Sequence, residues 1–467
     1  MNFFESVANI FPEVRAPAEK KLSFKTKLKW TFLILAAFFV LSVISLYGLG
    51  QNALSRFESL SVILGASFGS ILSLGIGPIV TASIVLQLLT GSGILKIDTT
   101  THEGKAFFQG LQKVMTIFFI VFESFIYVFL GGLAPAAELL GSSSYLILQF
   151  GLVIQLVLGG FMVLYMDQVV SKYGFGSGVS LFIAAGVSSS IVVRALSPLN
   201  SVGRWAFGSG QAPIGQVWVF FESLLNRNPL GASLAIATIL ATVIVFMFSV
   251  YAQAMKIEIP LSFGRVRGHG MRWPLRFLYT SNIPVILTAA LLANIQLWAK
   301  LLENWGKPIL GTFIGNTPAT GFVTWIYPPN LVHGFITGSL VGIDIAHSIA
   351  YVLLMIGGAV LFSVFWVQTS GMDAASQAKQ MMASGLQIPG FRRDPRVLEA
   401  ILNRYIPSLT ILGAITIGVL SAVADLMGAL ANGTSLLLTV MIVYKLYEEI
   451  AQQHMMDMYP ALRKMME

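Results

Sequence analysis

Residues Gly65 to Leu89 read GASFGSILSLGIGPIVTASIVLQLL. The stretch is apolar enough to enter a bilayer, yet Gly65, Gly69, Gly75 and Gly77 loosen its first half and Pro78 restarts it. Proline suits the first turn of a helix, where the amide it lacks would have had no partner. The pattern predicts a short mobile piece over about Phe57 to Ser70, a break, and a helix from Ile76. Irregular backbone at membrane depth is tolerated only where protein or a water-filled cavity covers it. A broken apolar segment therefore points to a cavity inside a membrane, with the rest of the chain arranged around it.

The composition fits that setting. The chain has 467 residues, of which 55% are hydrophobic and 11% charged, and its mean hydropathy is +0.78. These values exclude a soluble globular protein and fit a multi-span helical membrane protein. There is no cysteine, hence no disulfide framework or thiolate site, and five histidines leave little for a metal centre. No cleavable signal peptide is expected, because Met1 to Lys29 is polar and basic without an apolar core. Phe3, Phe4, Val7, Ile10 and Phe11 recur at roughly helical spacing before Pro12, which predicts a short amphipathic helix on the membrane surface.

Ten spans are expected, each near the ~20 residues a bilayer requires. They run Trp30–Leu49, Ile76–Leu95, Val114–Leu133, Tyr145–Met166, Val179–Val193, Gly231–Met255, Ile283–Leu302, Ile345–Val367, Ile406–Met427 and Leu436–Ile450. With the N-terminus in the cytoplasm, 23 of the 29 Lys and Arg residues fall on the cytoplasmic side. The positive-inside rule then gives N- and C-termini both cytoplasmic. An internal echo accompanies the ten spans. Pro78-Ile79-Val80-Thr81 opens the second and Pro284-Val285-Ile286-Leu287-Thr288 the seventh; Gly178-Val179-Ser180 opens the fifth and Gly433-Thr434-Ser435 the tenth. A repeat of five spans must be inverted in the membrane, and inverted repeats place a site at the interface of the halves.

Two basic loops stand out, Lys256 to Arg276 and Ser370 to Arg404. Obedience to the positive-inside rule explains them, and so does docking of a polyanion such as ribosomal RNA. Enzyme chemistry finds no support. His102-Glu103 lacks the second histidine of a zinc helix, Gly176-Ser177-Gly178 has no triad partners nearby, and there is no phosphate-binding loop. No cofactor is expected. The ionisable groups at membrane depth are Glu123, His347 and the nearby Asp344 and Asp425, each a functional candidate. At the echoing helix starts, Ile76 and Val80, and Val179 and Ile183, share helix faces at i, i+4. With Ile286 and Leu438 they could form a hydrophobic constriction, although apolar residues at this spacing also serve ordinary helix packing.

GIGPIVTASIVLQLLTGSGI (Gly75 to Ile94), SKYGFGSGVSLFIAAGV (Ser171 to Val187), SNIPVILTAALLANIQLW (Ser281 to Trp298) and GTSLLLTV (Gly433 to Val440) closely resemble the archaeal branch of the SecY family, the channel subunits of the protein-conducting translocon. The resemblance implies an all-α polytopic membrane protein with ten transmembrane helices in two inverted pseudo-symmetric halves. These would be residues 30–194 and 231–451, flanked by a cytoplasmic segment 1–29 and a tail 452–467 and joined by an external hinge 195–230. It implies a pore ring of Ile76, Val80, Val179, Ile183, Ile286 and Leu438, and a plug at about 57–70 that includes Phe57, Leu60, Ile63, Leu64, Gly65, Phe68 and Gly69. A lateral gate would open between spans two and seven, with Pro78, Thr81, Gln87, Glu123, Pro284 and Asn294. Members commonly carry a neutral amide where Glu123 stands. Ribosome docking would use Arg265, Arg267, Arg392 and Arg393. The implied partners are a single-span gamma-type (SecE) subunit, a small beta-type subunit, the ribosome, signal sequences and nascent chains, and membrane lipid. The implied location is the cell membrane. The alternatives are a secondary transporter with inverted repeats, which would need a compact polar site, and a scaffold without a pore.

Overall fold

The computed structural model describes residues 13–18, 22–52, 66–91, 94–95, 97, 101–139, 141–200, 204–207, 211–263, 270–280, 283–314, 317–383, 386–387, 395–431 and 433–458. The expected surface helix Met1–Phe11, plug residues Phe57, Leu60, Ile63, Leu64 and Gly65, and Arg265, Arg267, Arg392 and Arg393 lie outside them. The described helices are α1 (Phe24–Val43), α2 (Gly77–Gly91), α3 (His102–Phe129), α4 (Ser143–Tyr173), α5 (Gly178–Leu196), α6 (Gln216–Leu225), α7 (Pro229–Ala254), α8 (Ile283–Asn304), α9 (Leu331–Thr337), α10 (Gly342–Thr369), α11 (Ala374–Ala383), α12 (Pro395–Leu426) and α13 (Gly433–Met458). The strands are β1 (Gln51–Asn52), β2 (Leu133–Ala134), β3 (Lys256–Phe263), β4 (Gly270–Arg276), β5 (Gly311–Ile314), β6 (Thr317–Gly321) and β7 (Leu386–Gln387).

A helix stands at each of the ten expected spans. Eight of them, α1, α3, α4, α5, α7, α8, α10 and α12, are long and apolar enough to cross a bilayer. The second span is corrected. Helix α2 has 15 residues, so it rises only about 22 Å, less than the ~30 Å hydrocarbon core. The non-helical residues 66–76 precede it. The tenth, expected to be short, is a 26-residue helix whose second half is polar. Starts move as well. Helix α1 begins six residues before Trp30, where Ser23 Oγ accepts from Thr26 N–H. Helix α3 begins twelve before Val114, where Thr101 Oγ1 accepts from Gly104 N–H; side-chain oxygens at such positions satisfy otherwise orphaned amides. The described part of α12, Pro395–Leu426, extends eleven residues ahead of the expected Ile406 and runs through Pro407.

The basic loops are folded. Strands β3 and β4 form an antiparallel hairpin from Lys256↔Arg276 to Ser262↔Gly270, and β7 pairs with the other edge of β3. Leu398, Leu402, Ile406 and Leu409 of α12, spaced as one helical face, are buried against Ile259, Leu275, Val367 and Ala378. This gives the hairpin, α11 and the first turns of α12 their own small core. The main core is one continuous cluster running from Ile34 of α1 to Ile442 of α13. Helix α8 has 14 of its 22 residues buried, whereas α1 buries only Ile34 and Phe38. Phe32, Val40 and Val43 of α1 are exposed, as expected of a helix that faces lipid.

Candidate functional site

The site is built on the interrupted entry to α2. Gly69 (φ +97) and Gly75 (φ +53) hold left-handed backbone there, which a side chain would strain. Two serines replace the missing helical bonds. Ser70 Oγ donates to Ser67 O at 2.7 Å, and Ser73 Oγ donates to Ser70 O at 2.5 Å and accepts from Gly69 N–H at 2.9 Å. The end of α1 holds the segment through Leu46 N–H to Gly69 O and Ile71 N–H to Ile44 O, each 2.9 Å. Buried backbone groups outside helices need such partners. On the other side the Ile71 carbonyl packs against Gly159 of α4, where any Cβ would collide with it. Of the expected plug residues, Phe68 lies against Tyr127 with ring centroids 6.4 Å apart, and Gly69 belongs to the serine turn.

Three of the expected gate residues meet. Thr81 of α2 donates its hydroxyl to Glu123 Oε1 of α3 at 3.0 Å, and Asn294 Nδ2 of α8 donates to Thr81 Oγ1 at 3.2 Å. All three are buried, Glu123 to 1% exposure. Glu123 Oε2 has no hydrogen-bond partner among the described residues; it faces Gly77, where a Cβ would stand 3.2 Å away. Pro78 and Pro284 occupy the second positions of α2 and α8. Gln87 is elsewhere, one to two turns further along α2. It is buried, it lines the cavity described next, and its Oε1 is likewise unpartnered among the described residues.

A cavity of about 600 Å³ opens between α2, α3, the α4–α5 turn, the start of α8, the end of α10 and the middle of α13. Val80, Val179 and Ile286 line it. Ile76, Ile183 and Leu438 do not; they are buried in the adjoining core, in the same cluster as Val80 and Ile286, with Val179 packed against it. The cavity wall is polar towards Gln109, Asp167, Lys445 and Glu449. The cavity thus brings these polar side chains together with the bulky apolar Val80, Val179 and Ile286, and apolar constrictions resist wetting.

The other ionisable candidates have structural partners. Asp344 Oδ2 accepts from Val341 N–H at the start of α10, Asp425 Oδ2 accepts from Tyr351 OH at 2.7 Å, and the His347 ring stands edge-on to Trp325. Sequence reasoning missed Asp167, whose Oδ1 accepts from Val179 N–H at 3.0 Å. A carboxylate twelve residues before Val179, ahead of the glycine-rich helix start, was the available signal. It also missed the close approach of α10 to α8, where a Cβ on Gly358 would lie 2.5 Å from Thr288 Cγ2.

A mostly helical polytopic protein with a cavity enclosed among its membrane-depth helices has the form of a membrane channel. The fold is similar to a solved protein-conducting channel with a TM-score of 0.82, at 39% identity over 97% of this chain and 98% of that one. It is also similar to Sec61 in the canine ribosome-channel complex from the endoplasmic reticulum, with a TM-score of 0.80, at 38% identity over 97% and 98%. The SecY family model matches residues 70–447. The protein translocase subunit SecY of Methanothermobacter thermautotrophicus is 45% identical over 98% of this chain and 97% of its own length. The chain belongs to the SecY family, in its archaeal branch. It is a membrane-embedded, pore-forming subunit of a protein-conducting channel, a family that is not named for any enzyme activity.

Proposed function

We propose that the chain passes unfolded polypeptide across the cell membrane through the throat at Ile76, Val80, Val179, Ile183, Ile286 and Leu438. Hydrophobic segments leave sideways into lipid between α2 and α8. The observation that carries this reading is the vestibule of about 600 Å³ lined by Val80, Val179 and Ile286 and backed by a continuous apolar core. Apolar contact is non-directional, so such a ring closes around side chains of any kind. It catalyses no reaction and uses no cofactor.

The polar contact of Thr81, Glu123 and Asn294 is the latch of the lateral gate, which the direct α2–α8 hydrogen bond holds shut. A signal sequence opens it by binding the open state better than the closed one. Pro78, Pro284 and Gln87 shape the same seam, and the segment about 57–70 is the plug. The halves 30–194 and 231–451 swing about 195–230, an arrangement supported by the matching proline and glycine helix starts. Lys445 at the vestibule rim and the basic β3–β4 hairpin support a cytoplasmic position for that face under the positive-inside rule. There the hairpin and the 370–404 loop, with Arg265, Arg267, Arg392 and Arg393, dock the ribosome. A gamma-type (SecE) and a beta-type subunit complete the complex. The secondary-transporter alternative draws on intramembrane charge, and Glu123 is turned into the helix contact instead of the cavity.

The test is planar-bilayer ion conductance of the purified complex, intact and with residues 57–70 deleted. A silent parent and a leaky deletion are expected. Silence from both, with insertion into lipid verified, would remove the plug assignment.

A further inference from the structure

We propose that Asp167 of α4 is a positioning residue for the pore: it caps α5 from outside that helix and so fixes the height of Val179 and Ile183 in the throat. The inference rests on the ring reading above. Helix α5 starts at Gly178, and the first amides of a helix have no partner within it. Ser177, the residue before, makes no side-chain cap bond. The acceptor comes instead from the neighbouring helix, where Asp167 Oδ1 takes the Val179 N–H at 3.0 Å. The carboxylate also sits at the positive end of the α5 dipole, where negative charge is favoured.

Gly178 makes this approach available. A Cβ there would lie 2.5 Å from Asp167 Cα and 2.8 Å from its Oδ1. Aspartate and glycine therefore act as a pair, one supplying the acceptor and the other the room. The bond is made to the backbone of a throat residue itself, and Ile183 follows one turn on along the same face. Asp167 and Val179 both face the vestibule, so a shift of this contact moves the throat wall directly.

The test is the resting ion conductance of the purified full chain with its co-purifying subunits, for Asp167→Asn, Asp167→Ala and Gly178→Ala. Ile183→Gly serves as a control on the ring. Asparagine keeps an oxygen for the Val179 amide, so Asp167→Asn should stay within about two-fold of the parent, as good capping residues replace one another. Alanine removes the acceptor and Gly178→Ala forces the pair apart. Each should raise resting conductance about five-fold, the population change that loss of one cap corresponds to. Should Asp167→Ala fail to assemble, Gly178→Ala against Asp167→Asn decides the matter alone. A leak from Asp167→Asn as large as that from the alanine variants would overturn the acceptor role. A leak from Ile183→Gly with both alanine variants silent would overturn positioning and keep the ring. Silence from all four would overturn the two together.

Discussion

Helices α2 and α8 start alike and are held differently. Each carries proline at its second position and a threonine one turn on, Thr81 and Thr288. Thr81 spends its hydroxyl outward, on Glu123, and takes a bond from Asn294. Thr288 donates to Pro284 O of its own helix at 2.8 Å, and its methyl packs under Gly358 of α10. The entry to α2 is unwound and tied by serines, whereas α8 sits in the core over most of its length. The entry to α2 and its Thr81 contact are thus held by a few directional bonds, beside the buried packing of Ile79, Val80, Ala82, Ile84 and Leu86. Helix α8 is held chiefly by close packing, where a change of even one methylene is felt. On the lateral-gate reading proposed above, this difference would assign movement to α2 and reference to α8.

Glycine substitutions should produce the largest effects. Gly159→Ala sets a Cβ against the Ile71 backbone carbonyl, and Gly358→Ala sets one 2.5 Å from the stiff β-branched Thr288. Overpacking of this kind costs about 1–3 kcal/mol. The expected outcome is a lowered unfolding temperature in detergent for both, larger for Gly159→Ala because backbone cannot rotate away. If Gly358→Ala left the unfolding temperature unchanged, α8 would not be the rigid partner.

The threonines break the comparison more finely. Thr81→Val leaves Glu123 and Asn294 buried without their shared partner, a cost of about 1–3 kcal/mol that falls on the closed gate alone. Translocation of a reporter with a weakened signal sequence should rise roughly tenfold, the factor that 1.4 kcal/mol corresponds to. Thr288→Val keeps the methyl against Gly358 and loses only a bond within its own helix, so the same assay should change less than about two-fold. Equal responses from the two variants would erase the distinction between latch and packed helix.

Much of this is legible in the sequence, and the reasons differ by element. The ten helices show as apolar runs, and the break before α2 shows because Gly75 and Pro78 each have a backbone reason to be there. The end of α2 is less legible: the apolar Ile94 and Leu95 extend the hydrophobic run, while the described helix spans Gly77–Gly91 and Ile94 and Leu95 are not helical. The β3–β4 hairpin reads as loop because its charge and prolines hide the alternation of Ile257 and Ile259, and of Trp273 and Leu275, with the strand partners between them. Thr81, Glu123 and Asn294 come from three helices, and no local spacing joins them; the family resemblance does. Gly159 and Gly358 carry no signal, because small residues are common in any membrane helix.

The smallest expected effect lies where each half is strapped at the vestibule end. In the second half Arg276 Nη2 pairs with Glu448 Oε2 at 2.6 Å and ties the hairpin to α13. In the first half Glu13 lies 2.6 Å from Lys172 Nζ and 3.7 Å from Lys113 Nζ, and next to it Val14 N–H donates to Gln168 Oε1 at 3.1 Å. The hydrogen bond from Lys172 is the main cause that holds the Glu13 carboxyl below its ordinary 4.5. A lowered value in the folded state means the strap contributes above the ordinary carboxylate range and is lost as pH falls through the lowered value. Because Glu13 is more than half exposed, the contribution is under about 1 kcal/mol and salt should screen it. The readout is hydrogen exchange of the Val14 amide, corrected for its intrinsic pH dependence. Protection should be present at about pH 6 and weaken below the ordinary carboxylate range, and Glu13→Gln should show the weakened level at every pH. Protection that stayed constant down to about pH 3 would mean that the bonds from Gln168, from Lys172 to Val14 O and from Tyr173 to Arg15 O hold the segment without Glu13, leaving no carboxylate strap there to set beside Arg276 and Glu448.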